Sequence, residues 1–323
     1  MLSKMPMTNV AVLTHPPLLR EESVIDGVCE QLRAGRIQGN LDELVEDLNA
    51  RREEDPRDWP EYARACRRHP VCSLLHQDPF THRAFAKPRG YAGDAVMMDY
   101  IYGLGEAREA ARNATPLGRA IFQHFVETRP SSKAVRYRRR LIAGLIDRAA
   151  RRDGARVLAI AAGHLREVEL STAMQSGMIR EFTALDQDEA SLAVVQRDYA
   201  YLGVRTIRES VRQILCGKAK LGQYDFVYAA GLFDYLSDPV AKALTCRMFE
   251  MTRPGGMMLI PNFLTGTPDA AYMEAFMDWN LIYRNQSDMM ALTADLPRSA
   301  VADCRVFDDE NEAITFLLVT RAG

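Results

Sequence analysis

The stretch from Arg156 to Glu169, RVLAIAAGHLREVE, constrains the fold more than any other part of this 323-residue chain. It reads as a short buried strand, Val157–Ala161, then a turn at Ala162, Gly163 and His164, then a helix from about Leu165. Such a unit aims free backbone N–H groups and the positive end of a helix dipole at one point, where a polar or anionic group is held. Downstream the chain alternates strand and helix, the pattern of a parallel sheet covered on both faces. Strands are expected at Phe182–Leu185, with Asp186 at its carboxyl end, at Val204–Ile207, at Asp225–Ala229 and at Met257–Pro261. Arg253–Pro254–Gly255–Gly256 turns the chain into the last of these, and Arg305–Phe307 with Ala313–Thr320 reads as a closing antiparallel hairpin. The fold class is therefore α/β, a doubly wound and mostly parallel Rossmann-like sheet.

Ahead of the sheet the pattern is helical. From Arg20 to about Arg68, Val24, Ile25, Val28 and Leu32 make one apolar face, and Asn40 is placed to cap a second helix carrying Leu41, Leu44, Val45 and Leu48. A long amphipathic helix, Pro130–Ala150, is entered through Ser131 and Ser132, packs through Val135, Leu141, Ile142, Leu145 and Ile146, and leads into the first strand. A chain of this length exceeds what one core typically wants, so a helical cap or lid, 1–130, on a sheet domain, 131–323, is expected. The N-terminal helices suit plain packing, a lid or a homodimer surface.

Pro79 to Tyr102, PFTHRAFAKPRGYAGDAVMMDYIY, is different in kind. Pro88, Gly90 and Gly93 break helix periodicity around Arg89, Tyr91 and Asp94. Two readings stand: a surface turn in which Asp94 caps the helix Ala95–Gly103, and a lid that lays Tyr91 and Asp94 over a bound cation.

Charge and composition exclude several classes. A net charge of −2 gives no electrostatic case for nucleic acid, and the arginines at 136–140 and 148–152 read as solvated helix faces. The six scattered cysteines form no CxxC pair, which points to reduced thiols and no metal site. No apolar run approaches the ~20 residues that cross a bilayer. The N-terminus is broken by prolines rather than shaped like a signal peptide, so a cytoplasmic protein is expected.

In an open α/β sheet, ligands bind at the carboxyl ends of strands where the strand order reverses. Asp186 lies about twenty residues after the glycine turn, where an acid accepts hydrogen bonds from ribose hydroxyls. A nicotinamide dinucleotide is poorly served, because the turn has Gly163 but no second or third glycine for a pyrophosphate. A nucleoside cofactor without phosphates fits better.

At these positions the chain resembles the class I S-adenosylmethionine-dependent methyltransferases: VLAIAAGHL at the glycine motif, LDQD at the ribose motif, RESV at the adenine motif, YDFVYAAGLFDYL at the fourth strand and RPGGMMLIPNF at the fifth. With KPRGYAGDAVMMDYIYG and YMEAFMDWNLIYR it is similar to a narrower bacterial group, that of the 3-hydroxypalmitic acid methyl ester synthase and the azetidine-2-carboxylate synthases. The resemblance implies S-adenosylmethionine as cofactor, without metal. It implies that Gly163 approaches the methionine part, Asp186 binds ribose, Gln187 and Val211 flank adenine, and Ser210 holds the adenine amine. Ala229, Gly231, Phe233 and Asp234 would line the floor beside the sulfonium, and Arg89 to Asp94 would close the top. Tyr91, Asp94, Tyr283 and Arg284 are the implied catalytic candidates.

The resemblance implies alkyl transfer in small-molecule biosynthesis, foremost of a methyl group to a small acceptor such as a hydroxy fatty acid carboxylate. A second implied reaction is cyclisation of S-adenosylmethionine to azetidine-2-carboxylate with release of methylthioadenosine; a third reading is a non-catalytic cofactor-binding regulator. The motif departs from the family at Ala159, where an acid usually stands, and at Ala161 and Leu165, which stand for glycines. A missing acid leaves the cofactor amine easier to deprotonate, which favours cyclisation. His164 in the turn reads as structural, Trp279 and Ile282 as core, and Arg136 with Arg139 as weaker candidates for the cofactor carboxylate.

Overall fold

A computed structural model describes residues 23–323; the expectations for the proline-broken N-terminus and for the helix start at Arg20 lie outside the described residues. Seven strands form one sheet: β1 (Arg156–Ile160), β2 (Glu181–Asp186), β3 (Val204–Arg208), β4 (Tyr224–Tyr228), β5 (Thr252–Phe263), β6 (Val301–Asp308) and β7 (Ile314–Arg321). Their order is β3-β2-β1-β4-β5-β7-β6. The first five run parallel, and β7 is antiparallel to both β5 and β6, as the closing hairpin required. The order reverses between β1 and β4, which opens a crevice at their carboxyl ends.

Period-two alternation divides the side chains between two cores. Leu158, Ile160, Val227, Ala229, Met258 and Ile260 face one side of the sheet. Val157, Ala159, Phe226, Tyr228 and Leu259 face the other, where they join Ile25, Leu41, Leu44 and Leu48 of the N-terminal helices in one continuous apolar cluster. Each valine, leucine, isoleucine, methionine or phenylalanine among them contributes about 1.5–3 kcal/mol when fully buried. The apolar faces of the helices Val24–Arg33 and Asn40–Glu54 are thus consumed inside the described chain. Asn40 is the first residue of its helix rather than the cap, which is Gly39 at φ 82°; the Asn40 amide donates to the Arg36 carbonyl.

Three local expectations change. The RPGG segment lies inside β5, which already begins at Thr252 with a register shift against β4. The helix Pro130–Ala149 is not capped by its serines: the Ser131 N–H donates to Asp269, and the Ser132 hydroxyl donates to the Phe125 carbonyl. No continuous helix runs from Leu165; a single 3₁₀ turn, Arg166–Glu169, is followed by a separate short helix, Thr172–Gln175. Side chains of the preceding helix replace the missing helical bonds. Arg139 takes the Arg166 carbonyl at 2.8 and 2.9 Å, and Asp147 accepts from the Ser171 hydroxyl and the Ala173 N–H. The turn after β1 therefore lacks a long helix dipole behind it.

Candidate functional site

A cavity of about 390 Å³ lies at the carboxyl ends of β1 to β4, beneath the loop 87–94 and the helix Ala95–Tyr102. The β1 turn forms one wall. Ala161, Gly163 and Leu165 all take left-handed backbone, at φ 51°, 54° and 54°. Two positions without glycine keep the conformation that glycine favours, at a cost of order 1–2 kcal/mol each, and strain of this kind gathers at ligand sites. At Gly163 a Cβ would stand 3.2 Å from the Ala95 Cβ, so the roof helix rests directly on the turn.

Asp186, at the end of β2, ties this turn to the sheet. Its Oδ2 accepts the Gly163 N–H and its Oδ1 the Asp188 N–H, both at 2.8 Å. Each oxygen keeps a second lone pair, and the side chain lines the cavity beside Gln187. Burial raises its pKa, partly opposed by those N–H bonds. At the end of β3 the Ser210 hydroxyl donates to Gln213 within a reciprocal cap of the helix Val211–Leu215, so it is already occupied. Its neighbour Glu209 also lines the cavity, and the buried Glu209 Oε2 has no partner among the described residues. A buried acceptor left open on a cavity wall is free to take a donor from a ligand or from water.

Three charged groups meet at the other end. Arg138 is 4% exposed, donates to the Met98 sulfur and has no ion-pair partner among the described residues. Glu167, carried by the 3₁₀ turn, accepts from the Tyr228 hydroxyl, and burial pushes its pKa up. Asp234, 3% exposed, accepts the Phe263 N–H at 2.6 Å; burial raises its pKa to about 6, against the pull of Arg138 and Arg284. The walls also carry four aromatic side chains, Tyr91, Tyr102, Tyr235 and Trp279. The Trp279 indole N–H donates to the Tyr235 hydroxyl at 2.8 Å. Gly93 seats the loop on this pair, since a Cβ there would come within 2.3 Å of the Tyr235 oxygen and 2.6 Å of the Trp279 ring.

The fold recurs in solved structures. A possible exported protein from Bordetella parapertussis is similar to this chain at TM-score 0.55 and 14% identity, over 79% of this chain and 98% of that one. The likeness is one of fold. SibL, an S-adenosylmethionine-dependent methyltransferase in its apo form, has TM-score 0.49 and 15% identity over 76% of this chain and 74% of its own. The N-methyltransferase NodS from Bradyrhizobium japonicum WM9, in complex with S-adenosylhomocysteine, has TM-score 0.43 and 14% identity over 62% and 91%. No family model and no curated protein matches the chain.

Of the residues expected from the sequence, Tyr91, Gly163, Asp186, Gln187, Ser210, Val211, Gly231 and Asp234 line the cavity together. The others lie behind it. Phe233 and Ala229 are fully buried in the second core. Asp94 is fully buried, caps the helix Ala95–Tyr102 through the Met97 N–H and pairs with Arg83 at 2.6 Å. Arg89 pairs with Asp188 at 2.9 Å and bonds Ser191, which anchors the loop to the helix after β2. Arg284, 2% exposed, donates to the Phe233 and Leu236 carbonyls and to Asn262, and pairs with Asp238; it braces the loop after β4 from outside the cavity. Tyr283 is largely buried, with its hydroxyl unpartnered among the described residues and the Arg52 guanidinium 5.3 Å from its ring centre. Trp279 is both buried and cavity-lining, whereas Ile282 is exposed rather than core, because its backbone alone is held, by the Asp234 carbonyl. His164 is pinned by Asp99 at 2.8 Å, in keeping with a structural role, although it also lines the cavity.

Arg138, Glu167 and Glu209 escaped the sequence reading. Arg136 bonds the Val126 carbonyl and Arg139 pairs with Glu169, so neither lines the cavity. Arg138 had a visible signal: Ala134, Val135, Ile142 and Leu145 repeat at helical spacing, and Arg138 falls on that buried stripe. Glu167 had none, because its position depends on the 3₁₀ turn replacing a helix.

Proposed function

We propose that the cavity binds S-adenosylmethionine and that the chain is an enzyme transferring a carbon group from it to a small-molecule nucleophile, with methyl transfer as the leading reaction. The observation that carries this is the division of polar groups: acids for a nucleoside at one end, an unpaired arginine with an acid for an amino-acid zwitterion at the other, and aromatic rings on the walls. When bound, the cofactor supplies an electrophilic carbon on a positively charged sulfur.

The residues fit that molecule. The open lone pairs of Asp186 suit two ribose hydroxyls, and Glu209 Oε2 suits the adenine amine better than the occupied Ser210 hydroxyl. Gln187 and Val211 flank the same end. Arg138 takes the methionine carboxylate and Glu167 its ammonium. Tyr91 lines the cavity, where an aromatic ring attracts a desolvated sulfonium, and the seated loop excludes water around it. Asp94 and Arg89 hold that loop closed, and Arg284 holds the floor.

Glu167 also bears on the choice of reaction. Cyclisation drew its support from the missing acid at Ala159, but Glu167 returns a carboxylate to the cavity from another element. An acid beside the amine favours its ammonium form, which opposes attack by that amine on its own chain. Incubation with S-adenosylmethionine followed by mass spectrometry tests the reading. S-adenosylhomocysteine formed with an acceptor marks methyl transfer, and methylthioadenosine with a four-membered amino acid marks cyclisation. Binding without turnover of any acceptor leaves a regulator, and failure of both S-adenosylmethionine and S-adenosylhomocysteine to bind in calorimetry sinks the proposal.

A further inference from the structure

The end of the cavity around Asp234 carries chemistry that cofactor binding does not use. Asp234 Oδ1 is taken by the Phe263 N–H, while its Oδ2 has no hydrogen-bond partner among the described residues. The carboxylate is 3% exposed and belongs to the cavity lining, so the free oxygen is open to that cavity rather than to bulk water. Tyr235, Trp279, Phe263 and Leu281 line the same cavity, with Arg138 and Glu167 as the other charged groups at this end. Burial keeps the Asp234 pKa up, at about 6, against the pull of Arg138 and Arg284, so the group is ionised at neutral pH; it makes no ion pair among the described residues.

We propose that Asp234, Tyr235 and Trp279 form an acceptor subsite for an amine, bound as its ammonium through Asp234 Oδ2 and the two ring faces. The assignment rests on the cofactor reading, which commits Arg138 to the methionine carboxylate. A carboxylate acceptor would then enter a pocket already holding Glu167 and Asp234, with no cation left to meet it. An ammonium meets a buried anion and aromatic faces, both of which favour it. To become a nucleophile it must lose one proton, and Asp234 Oδ2 is the acceptor beside it: ammonium and carboxylate become amine and carboxylic acid. The substrate class implied by these charges is an amine with an apolar body, in place of the hydroxy acid implied by the resemblance.

Binding can decide this without knowledge of the natural acceptor. The protein loaded with S-adenosylhomocysteine, which lacks the sulfonium charge, is titrated calorimetrically at neutral pH with hexylamine and with hexanoate. Hexylamine is expected to bind at least about tenfold more tightly than hexanoate, a difference of about 1.4 kcal/mol. Asp234→Asn, which keeps an oxygen for the Phe263 N–H, is expected to erase that preference while S-adenosylhomocysteine affinity stays within about threefold, which also reports that the variant is folded. Equal or tighter binding of hexanoate overturns the assignment, as does an undiminished amine preference in Asp234→Asn. Loss in that variant of only the preference for S-adenosylmethionine over S-adenosylhomocysteine would assign Asp234 to the sulfonium and overturn it too. If the wild-type protein binds no S-adenosylhomocysteine, the cofactor reading falls, and the two titrations on the free protein still decide whether Asp234 selects an amine.

Discussion

The strand ends and the segment after β5 use charged residues in opposite ways. At the ends of β1 to β4 the polar groups remain partly open: among the described residues Arg138 has no ion-pair partner, Glu209 Oε2 no donor, and Asp234 only one of its oxygens engaged. In the segment 264–285 and the N-terminal helices packed on it most of them close on one another, the Tyr283 hydroxyl excepted. Arg52 and the Trp59 indole converge on Glu274, Arg129 joins Asp42 to Asp269, and Asp78 holds Thr81, whose hydroxyl meets that of Tyr272. A buried polar group that is fully paired specifies packing, whereas one left open on a cavity wall is free to bind a ligand or water. The difference sorts the candidates: Arg284 and Asp94 belong to the closed set, Asp186 and Arg138 to the open one.

Substitutions can break this contrast, and the largest effect is expected in the closed set. Arg284→Ala leaves two carbonyls and the Asn262 oxygen without their buried donor, and a loss of about 3–5 kcal/mol in urea unfolding is expected. A variant that unfolds like the wild type but no longer turns over would move Arg284 into the site. Arg138→Met should do the reverse: S-adenosylmethionine affinity in calorimetry falls by about 2–3 kcal/mol, the scale of hydrogen bonds to a charged group, with stability little changed. Unaltered affinity would remove Arg138 from the carboxylate position.

Asp186→Ala stands between the two, since this carboxylate both fastens the Gly163 turn and faces the cavity. Cofactor affinity is expected to fall by about 1–3 kcal/mol. A purely structural aspartate would lower the melting temperature and leave affinity intact. The smallest effect concerns pH. Burial raises the Asp78 pKa to about 6, above its ordinary value of 3.8, so the folded state holds a proton that the unfolded chain has lost. Asp78 therefore contributes most below about pH 4, and that contribution is lost as pH rises through about 6, at no more than about 1.4 kcal/mol per pH unit. Asp78→Asn should flatten this part of the stability curve; an unchanged slope between pH 4 and 6 would assign it to other groups, Asp234 foremost.

Local pattern alone determined the α/β sheet, its closing hairpin and the strand-end positions of Gly163, Asp186 and Gly231, because alternation and turn residues act over a few neighbours. Asp94 was legible as a cap for the same reason: a cap bonds an N–H three residues away. Tertiary structure decided which charges stay open. Whether Arg284 faces a substrate or two carbonyls, and whether Arg138 meets water or a cavity, depends on groups brought together from distant parts of the chain. The gap at Ala159 belongs to the same lesson. A carboxylate reaches the cavity from Glu167 rather than from β1, because a 3₁₀ turn held by Arg139 carries that side chain where a continuous helix was expected.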